Sequence, residues 1–278
     1  MEAQQTGHGR DGNLEKFYTS DEVAASCVAS LLELRPALRD YLWVEPAAGD
    51  GAFLRALPGD VTRIGLDIAP EGPGILEQDF FTWEPPTGNV VCFGNPPFGR
   101  QSSLVRRFYT KACMFSDYVA FLAPLSWSKE TTNRAVPLNF HLILQTFPPK
   151  NSFLVNGLPH DVPSVFQVWE KRSCDRALEG EPAPVGFHMV QQGGDHNLRV
   201  RRVGGRAGKI DPEGRTRRSH MYIQLEEEFV EHMERVKTGM DAHKYPYTNV
   251  GPKSLSKREV ILVLNLVLRK IKAEQNSG

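Results

Sequence analysis

An apolar run, Val90-Val91-Cys92-Phe93, passes directly into Gly94-Asn95-Pro96-Pro97-Phe98-Gly99. An unbroken apolar run closed by a turn reads as a strand buried on both faces, the mark of a parallel sheet. In an open α/β sheet, ligands bind just beyond the carboxyl ends of the strands. The residues after Phe93 therefore stand where chemistry is expected. Pro96 and Pro97 fix the backbone and remove two N–H donors, leaving carbonyls that accept. The Asn95 side-chain oxygen and the Pro96 carbonyl can together accept both hydrogens of one amino group. Phe98 offers a flat face for a planar ring. The pattern reads as a receptor for an exocyclic amine on an aromatic heterocycle; the alternative is a proline-rich turn with a core Phe.

A second signal lies upstream. Leu42-Trp43-Val44 leads into Glu45-Pro46-Ala47-Ala48-Gly49-Asp50-Gly51-Ala52, a strand, a glycine-rich turn and a helix start. Glycines there let the backbone pass close to a ligand. Arg63-Ile64-Gly65-Leu66 then ends in Asp67. A carboxylate at the end of the second strand suits the two hydroxyls of a ribose. The turn lacks the third glycine of a dinucleotide fingerprint and the Lys of a phosphate-binding loop. The expected ligand is a nucleoside without a phosphate cluster.

Together these residues resemble the class I S-adenosylmethionine-dependent amino-methyltransferases, with the motif order of the gamma-class, TaqI-type adenine-N6 DNA methyltransferases. The resemblance spans about Lys16 to Lys171. It implies a doubly wound, Rossmann-like α/β methyltransferase sheet and S-adenosylmethionine as cofactor. Lys16-Phe17-Tyr18-Thr19-Ser20 looks like the segment that closes over the cofactor's methionine end, and Gln78-Asp79-Phe80 like the motif that reads its adenine. The implied cofactor-binding set is Tyr18, Thr19, Glu45, Pro46, Ala47, Gly49, Gly51, Asp67, Ile68, Asp79, Phe80 and Asn95. The implied catalytic set is Asn95, Pro96, Pro97 and Phe98. TaqI-type enzymes usually carry Tyr where this chain has Phe98, which leaves amino-group chemistry in place but blurs the polymer. Phe153, before a late strand, matches the second base-stacking aromatic, with Phe147 as second choice. The implied reaction is methyl transfer to adenine N6 in DNA after base flipping. The same chemistry on RNA, on cytosine N4 or on a protein glutamine amide stays open. So does a catalytically inactive nucleic-acid-binding subunit.

Composition fits such an enzyme. The 278 residues, 40% of them hydrophobic, can bury one full α/β core plus an appendage. No run of 18 or more apolar residues occurs, so a soluble, intracellular protein without a membrane partner is expected. Met1 to Asn13 is polar and reads as a disordered leader with neither signal- nor transit-peptide character. Cys27, Cys92, Cys113 and Cys174 are scattered without metal spacing, so reduced thiols and no metal are expected.

The βα alternation continues to about residue 178, so residues 14–178 are read as the methyltransferase domain. The strands are expected at Trp43–Glu45, Arg63–Asp67, Val90–Phe93, Tyr118–Leu122, His141–Gln145 and Val165–Trp169. Helices are expected at Ser20–Leu34 and Ser103–Met114. Glu181-Pro182-Ala183-Pro184 reads as a linker-like bend opening a small C-terminal α+β appendage, residues 179–278. Strand-like pieces follow at Gly186–Val190 and His220–Leu225. Leu225, Phe229 and Met233 are spaced for one face of an acidic surface helix. Ser256 and Glu259 form a capping box before an apolar face of Val260, Leu262, Val263, Leu266, Val267 and Ile271. Net charge is +0, yet Arg199, Arg201, Arg202, Arg206, Lys209, Arg215, Arg217 and Arg218 crowd one glycine-rich stretch. Such a block suits phosphate contact, with Arg201 and Arg202 as candidate substrate contacts; the alternative is a solvated loop.

Overall fold

The computed structural model describes residues 17–99, 102–178, 180–211, 219–245 and 253–275. The leader expected over Met1–Asn13, and Lys16, Arg100, Arg215, Arg217 and Arg218, lie outside them. The chain divides into two compact units, Met1–Leu178 and Glu179–Gly278.

The first unit is built on a seven-stranded sheet. Its strands in spatial order are β4 (Ile75–Glu77), β3 (Arg63–Asp67), β2 (Leu42–Glu45), β5 (Val90–Gly94), β6 (Tyr118–Pro124), β10 (Ser164–Lys171) and β7 (Phe140–Thr146). The pairings β4–β3–β2–β5–β6 are parallel, and β10 is antiparallel to both its neighbours. This is the doubly wound, Rossmann-like sheet that the sequence predicts. Alternate residues of each strand enter two cores. Val44, Cys92, Val119, Phe121 and Trp169 pack with helix α3 (Ser103–Phe115). Trp43, Val91, Phe93, Ala120, Leu122 and Val168 pack with α1 (Asp21–Leu34) and α2 (Ala52–Ala56). Burial on both faces explains the unbroken apolar runs.

Helix α1 starts where Ser20 Oγ accepts the Val23 N–H at 3.4 Å, with Asp21 and Glu22 in the first turn. It buries Val23, Ala24, Cys27, Val28 and Leu31 along one stripe; a short helix, α4 (Glu130–Asn133), lies between β6 and β7. A short antiparallel sheet joins β1 (Tyr18–Thr19) to β8 (Phe153–Val155), and β8 to β9 (Leu158–His160). It pairs the segment before α1 with a hairpin far along the chain, and sequence periodicity gives no sign of it.

The second unit has an antiparallel sheet in the order β11 (Phe187–Val190), β13 (His220–Leu225), β12 (Leu198–Arg201). Its residues share a core with α5 (Glu227–Val230), α6 (Met233–Ala242) and α7 (Lys257–Gln275). The Glu181–Pro184 bend is pinned to α7, because buried Asn265 donates to Ala183 O at 2.9 Å and accepts from Val185 N at 3.0 Å. Two expectations need correction here. Leu225 ends β13, and the acidic stretch forms two helices broken at Glu231–His232, rather than one. On α7 the capping box forms, with Ser256 N–H and Glu259 Oε2 at 2.7 Å. However, Leu262 and Leu266 are each 46% exposed, while Ile261, Leu264 and Leu268 are buried. The buried stripe runs 260, 263/264, 267/268, 271, and residues 262 and 266 fall on its far side. Among the described residues no helix is long and apolar enough to cross a membrane.

One ionic cluster ties α1 to the sheet. Glu170 Oε1 accepts from Tyr118 OH at 2.7 Å and Arg35 Nε at 3.1 Å, and its Oε2 accepts from Arg172 at 2.9 Å. Burial alone would raise the Glu170 carboxyl, but these donors overcome it and hold the group at about 2. A depressed carboxylate stabilises the fold above its ordinary value of 4.5, and that stabilisation is lost as pH falls through about 2. Glu170→Gln should therefore cost roughly 2–3 kcal/mol at pH 7. Denaturant unfolding from pH 7 to pH 2 should show the gap between variant and parent closing.

Candidate functional site

The site is assembled at the carboxyl edge of β2, β3 and β5. Strand β2 is flanked by β3 on one side and β5 on the other. Connections leave in opposite directions there, which opens the crevice where α/β sheets bind ligands. Glu45 ends β2, Asp67 ends β3, and Asn95 follows β5.

The loop after β2 depends on glycine. Gly49 has φ +55°, and a Cβ on it would lie 3.1 Å from the Tyr18 ring. Its N–H donates to Asp67 Oδ2 at 2.8 Å, and the Ala69 N–H donates to Asp67 Oδ1 at 2.9 Å. The Gly49 carbonyl in turn accepts from Glu71 N at 2.9 Å and Gly72 N at 3.1 Å. Gly51 opens α2 with φ +86°. Glu45, Gly49, Asp67 and Tyr18 thus lie around one crevice, with Pro46 buried and Ala47 and Ile68 half-buried beside it in sequence.

Glu45 is 2% exposed, and its Oε2 has no hydrogen-bond partner. The Thr19 hydroxyl is buried without a partner as well. Burial, then the charges of Asp50 and Asp67, push the Glu45 carboxyl well above its ordinary range. Burial, then the neighbouring Glu71 carboxylate, raises the Tyr18 phenol.

The loop after β5 is fixed just as closely. Gly94 has φ +123°, and a Cβ there would come within 2.9 Å of Glu45 Cγ. Asn95 Nδ2 donates to Phe17 O at 3.3 Å. Pro96 is buried, and Pro97 and Phe98 are half-buried. The Phe98 carbonyl accepts from Leu104 N and Val105 N, each at 3.3 Å, which anchors the loop to the start of α3.

Three expected residues stand elsewhere than the sequence suggests. Phe80 is 0% exposed and stacks on Phe108 at 5.4 Å, so it has no face left for a ligand. Its neighbour Asp79 turns one oxygen back to the Phe81 N–H at 2.9 Å. Phe153 is 1% exposed within the core beside α1, so it cannot receive a flipped base. The second choice, Phe147, is 59% exposed. Arg201, in the second unit, pairs with Asp211 at 3.2 Å instead of standing free for phosphate. Arg202 lies beside it, its backbone bonded to Ser219 O and Leu255 N at 2.8 Å. Sequence reasoning missed Phe17 as a partner of Asn95. It also missed His160, whose ring lies 5.5 Å from that of Phe17. Among the described residues no group of His, Cys, Asp or Glu could hold a metal ion.

No family model matches the chain, and no curated protein does. Among solved structures, the 23S rRNA methyltransferase ErmE shares 20% identity over 59% of this chain and 73% of its own, with a TM-score of 0.41. A type I restriction-modification methyltransferase subunit from Streptococcus thermophilus shares 16% over 56% of this chain and 45% of its own, with a TM-score of 0.41. A SAM-dependent methyltransferase from Leishmania major shares 12% over 54% of this chain and 72% of its own, with a TM-score of 0.38. Overlap at this level leaves the fold to be read from the chain's own strand order.

The buried Glu45 carboxyl gives a direct test of the site's electrostatics. A raised carboxyl penalises the folded state increasingly as pH climbs above the unfolded value. Glu45→Gln should therefore leave the ligand-free Tm at pH 8 equal to or above that of the parent, the difference vanishing by pH 4. A lower Tm at pH 8 would show that Glu45 is satisfied within the protein.

Proposed function

We propose that the chain is an S-adenosylmethionine-dependent methyltransferase acting on the N6 amine of adenine in nucleic acid. The observation that carries this reading is the Asn95 amide at the end of β5. Its nitrogen is held by the Phe17 carbonyl at 3.3 Å. That bond uses the amide nitrogen and leaves Oδ1 as an acceptor, with the Pro96 carbonyl next in the chain as the second.

The residues around Gly49 fit the cofactor. A cradle that a Cβ would fill lies against Tyr18, and Asp67 offers a carboxylate for ribose hydroxyls. The unpartnered Glu45 oxygen suits the ammonium of the methionine end. Buried polar groups are normally hydrogen-bonded, so an orphaned carboxyl oxygen beside the crevice calls for a polar, cationic partner. Asp79 keeps an oxygen for the adenine amine, while Phe80 supports that turn from the core. When bound, the cofactor supplies an electrophilic methyl group.

The chain's own residues would do the rest. The adenine amine is a poor nucleophile because its lone pair is delocalised into the ring. Asn95 Oδ1 and the Pro96 carbonyl, accepting both amine hydrogens, favour a more tetrahedral nitrogen whose lone pair is available for in-line attack. Catalysis is then positioning and preorganised electrostatics, without a base to remove the proton beforehand. Phe98 would stack on one face of the base, worth roughly 1–3 kcal/mol, against an unstacking cost of a few kcal/mol. DNA is the polymer that the motif order favours, and RNA enters as the second arm of every assay. Arg202 and the cations around Arg201 are the proposed phosphate contacts of the second unit.

Asn95→Ala should abolish methyl transfer while leaving cofactor affinity within about twofold, as read by tritium transfer and calorimetry. Near-parental turnover would sink the catalytic assignment. Asp67→Ala should weaken cofactor affinity about ten- to hundredfold, the worth of one or two charge-assisted hydrogen bonds. Its maximal rate at saturating cofactor should be little changed. Unchanged affinity in a folded variant would contradict the Gly49–Asp67 reading.

A further inference from the structure

Phe153 has no exposed face, but the small sheet that carries it brings a different aromatic pair together. Strand β8 runs between β1 and β9, with Thr19, Phe153 and His160 opposite one another across the sheet. Residues opposite one another share a face of a sheet. Phe17 stands two residues before Thr19, so it falls on that same face. Thr19 and Phe153 are buried, Phe17 is half-buried and His160 is exposed. The rings of Phe17 and His160 lie 5.5 Å apart at 39°. Phe153 itself is buried in the core beside α1, and Phe17 packs against that same core. The hairpin that carries His160 is set by Asn156 (φ 50°) and Gly157 (φ 76°). Both positive φ values fit a type I′ turn, which holds the two strands in register.

Phe17 is also the residue whose carbonyl holds Asn95. The aromatic surface therefore begins one side chain away from the candidate catalytic amide. The geometry points to Phe17 and His160 as the wall on which the target adenine stacks, opposite Phe98, in place of the buried Phe153. The proposal rests on the adenine-N6 reading above. It assigns base stacking to two residues outside the Asn95–Phe98 motif, one from the segment before α1 and one from β9.

Two variants isolate the wall. His160→Ala removes an exposed ring. Phe17→Leu keeps the backbone carbonyl that holds Asn95 and an apolar side chain against the core. Each should lower kcat/KM about tenfold or more, measured on adenine-unmethylated genomic DNA and total RNA, the loss expected for one stacking aromatic. Cofactor affinity and Tm should be unchanged. His160→Phe should restore kcat/KM to within about threefold of the parent. Saturation-transfer NMR of adenosine, with S-adenosylhomocysteine filling the cofactor site, supplies a readout without turnover. The adenosine ring signals should appear with the parent and fall in both variants. Parental kcat/KM and adenosine signal in His160→Ala and Phe17→Leu would overturn the wall while leaving the methyltransferase reading intact. A parent that labels adenine in neither polymer would overturn that reading, and the wall with it.

Discussion

The hydrogen bond from Asn95 Nδ2 to the Phe17 carbonyl is the contact on which the site depends. It joins the loop at the end of a central strand to a segment that precedes the first helix. Without it, the Asn95 amide has no fixed orientation and the two faces of the site have no common anchor. Phe17 is placed in turn by β1, whose partner β8 enters the chain long after the central strands are laid down. The candidate site is therefore complete only when the N-terminal segment has found its late partner.

The same edge shows how stability and function oppose each other. Glu45 is buried with one oxygen unpartnered, and Gly94 is held at a positive φ against it. The unpartnered oxygen costs folding free energy, and the position beside it admits only glycine. Glu170 shows the contrary arrangement, with both oxygens satisfied by Tyr118, Arg35 and Arg172. The Glu45 carboxyl at the site is left needing a partner, whereas the Glu170 carboxyl that holds the sheet to α1 has three. That contrast is what a binding cleft built into a stable scaffold requires.

Much of the scaffold was legible from the chain alone. Arg63–Asp67 and His220–Leu225 form strands with the bounds that the pattern predicts, because apolar runs closed by turns are local signals. The insertion of β10 between β6 and β7 was not legible, since strand order carries no local trace. The errors at single residues share one cause. Phe153 reads as an exposed loop aromatic only until β1 and β9 are seen to flank it. Phe80 and Phe81 are adjacent and both meet Phe108, and nothing in the sequence tells that Phe80 is the one fully buried. Leu262 and Leu266 are apolar yet lie outside the stripe that α7 buries. Arg201 belongs to a basic block in the sequence, but Asp211, ten residues on, folds back to neutralise it. In each case tertiary contacts decided what composition and spacing left open.

The central claim is that Asn95 and Pro96 hold an adenine amine for methylation. The most direct measurement is nucleoside mass spectrometry of adenine-unmethylated DNA and RNA after incubation with the purified protein and S-adenosylmethionine carrying a deuterated methyl group. The account predicts deuterated N6-methyladenine in one of the two polymers, and none with the Asn95→Ala variant. Label found only in N4-methylcytosine or in protein, or in neither polymer, would contradict it.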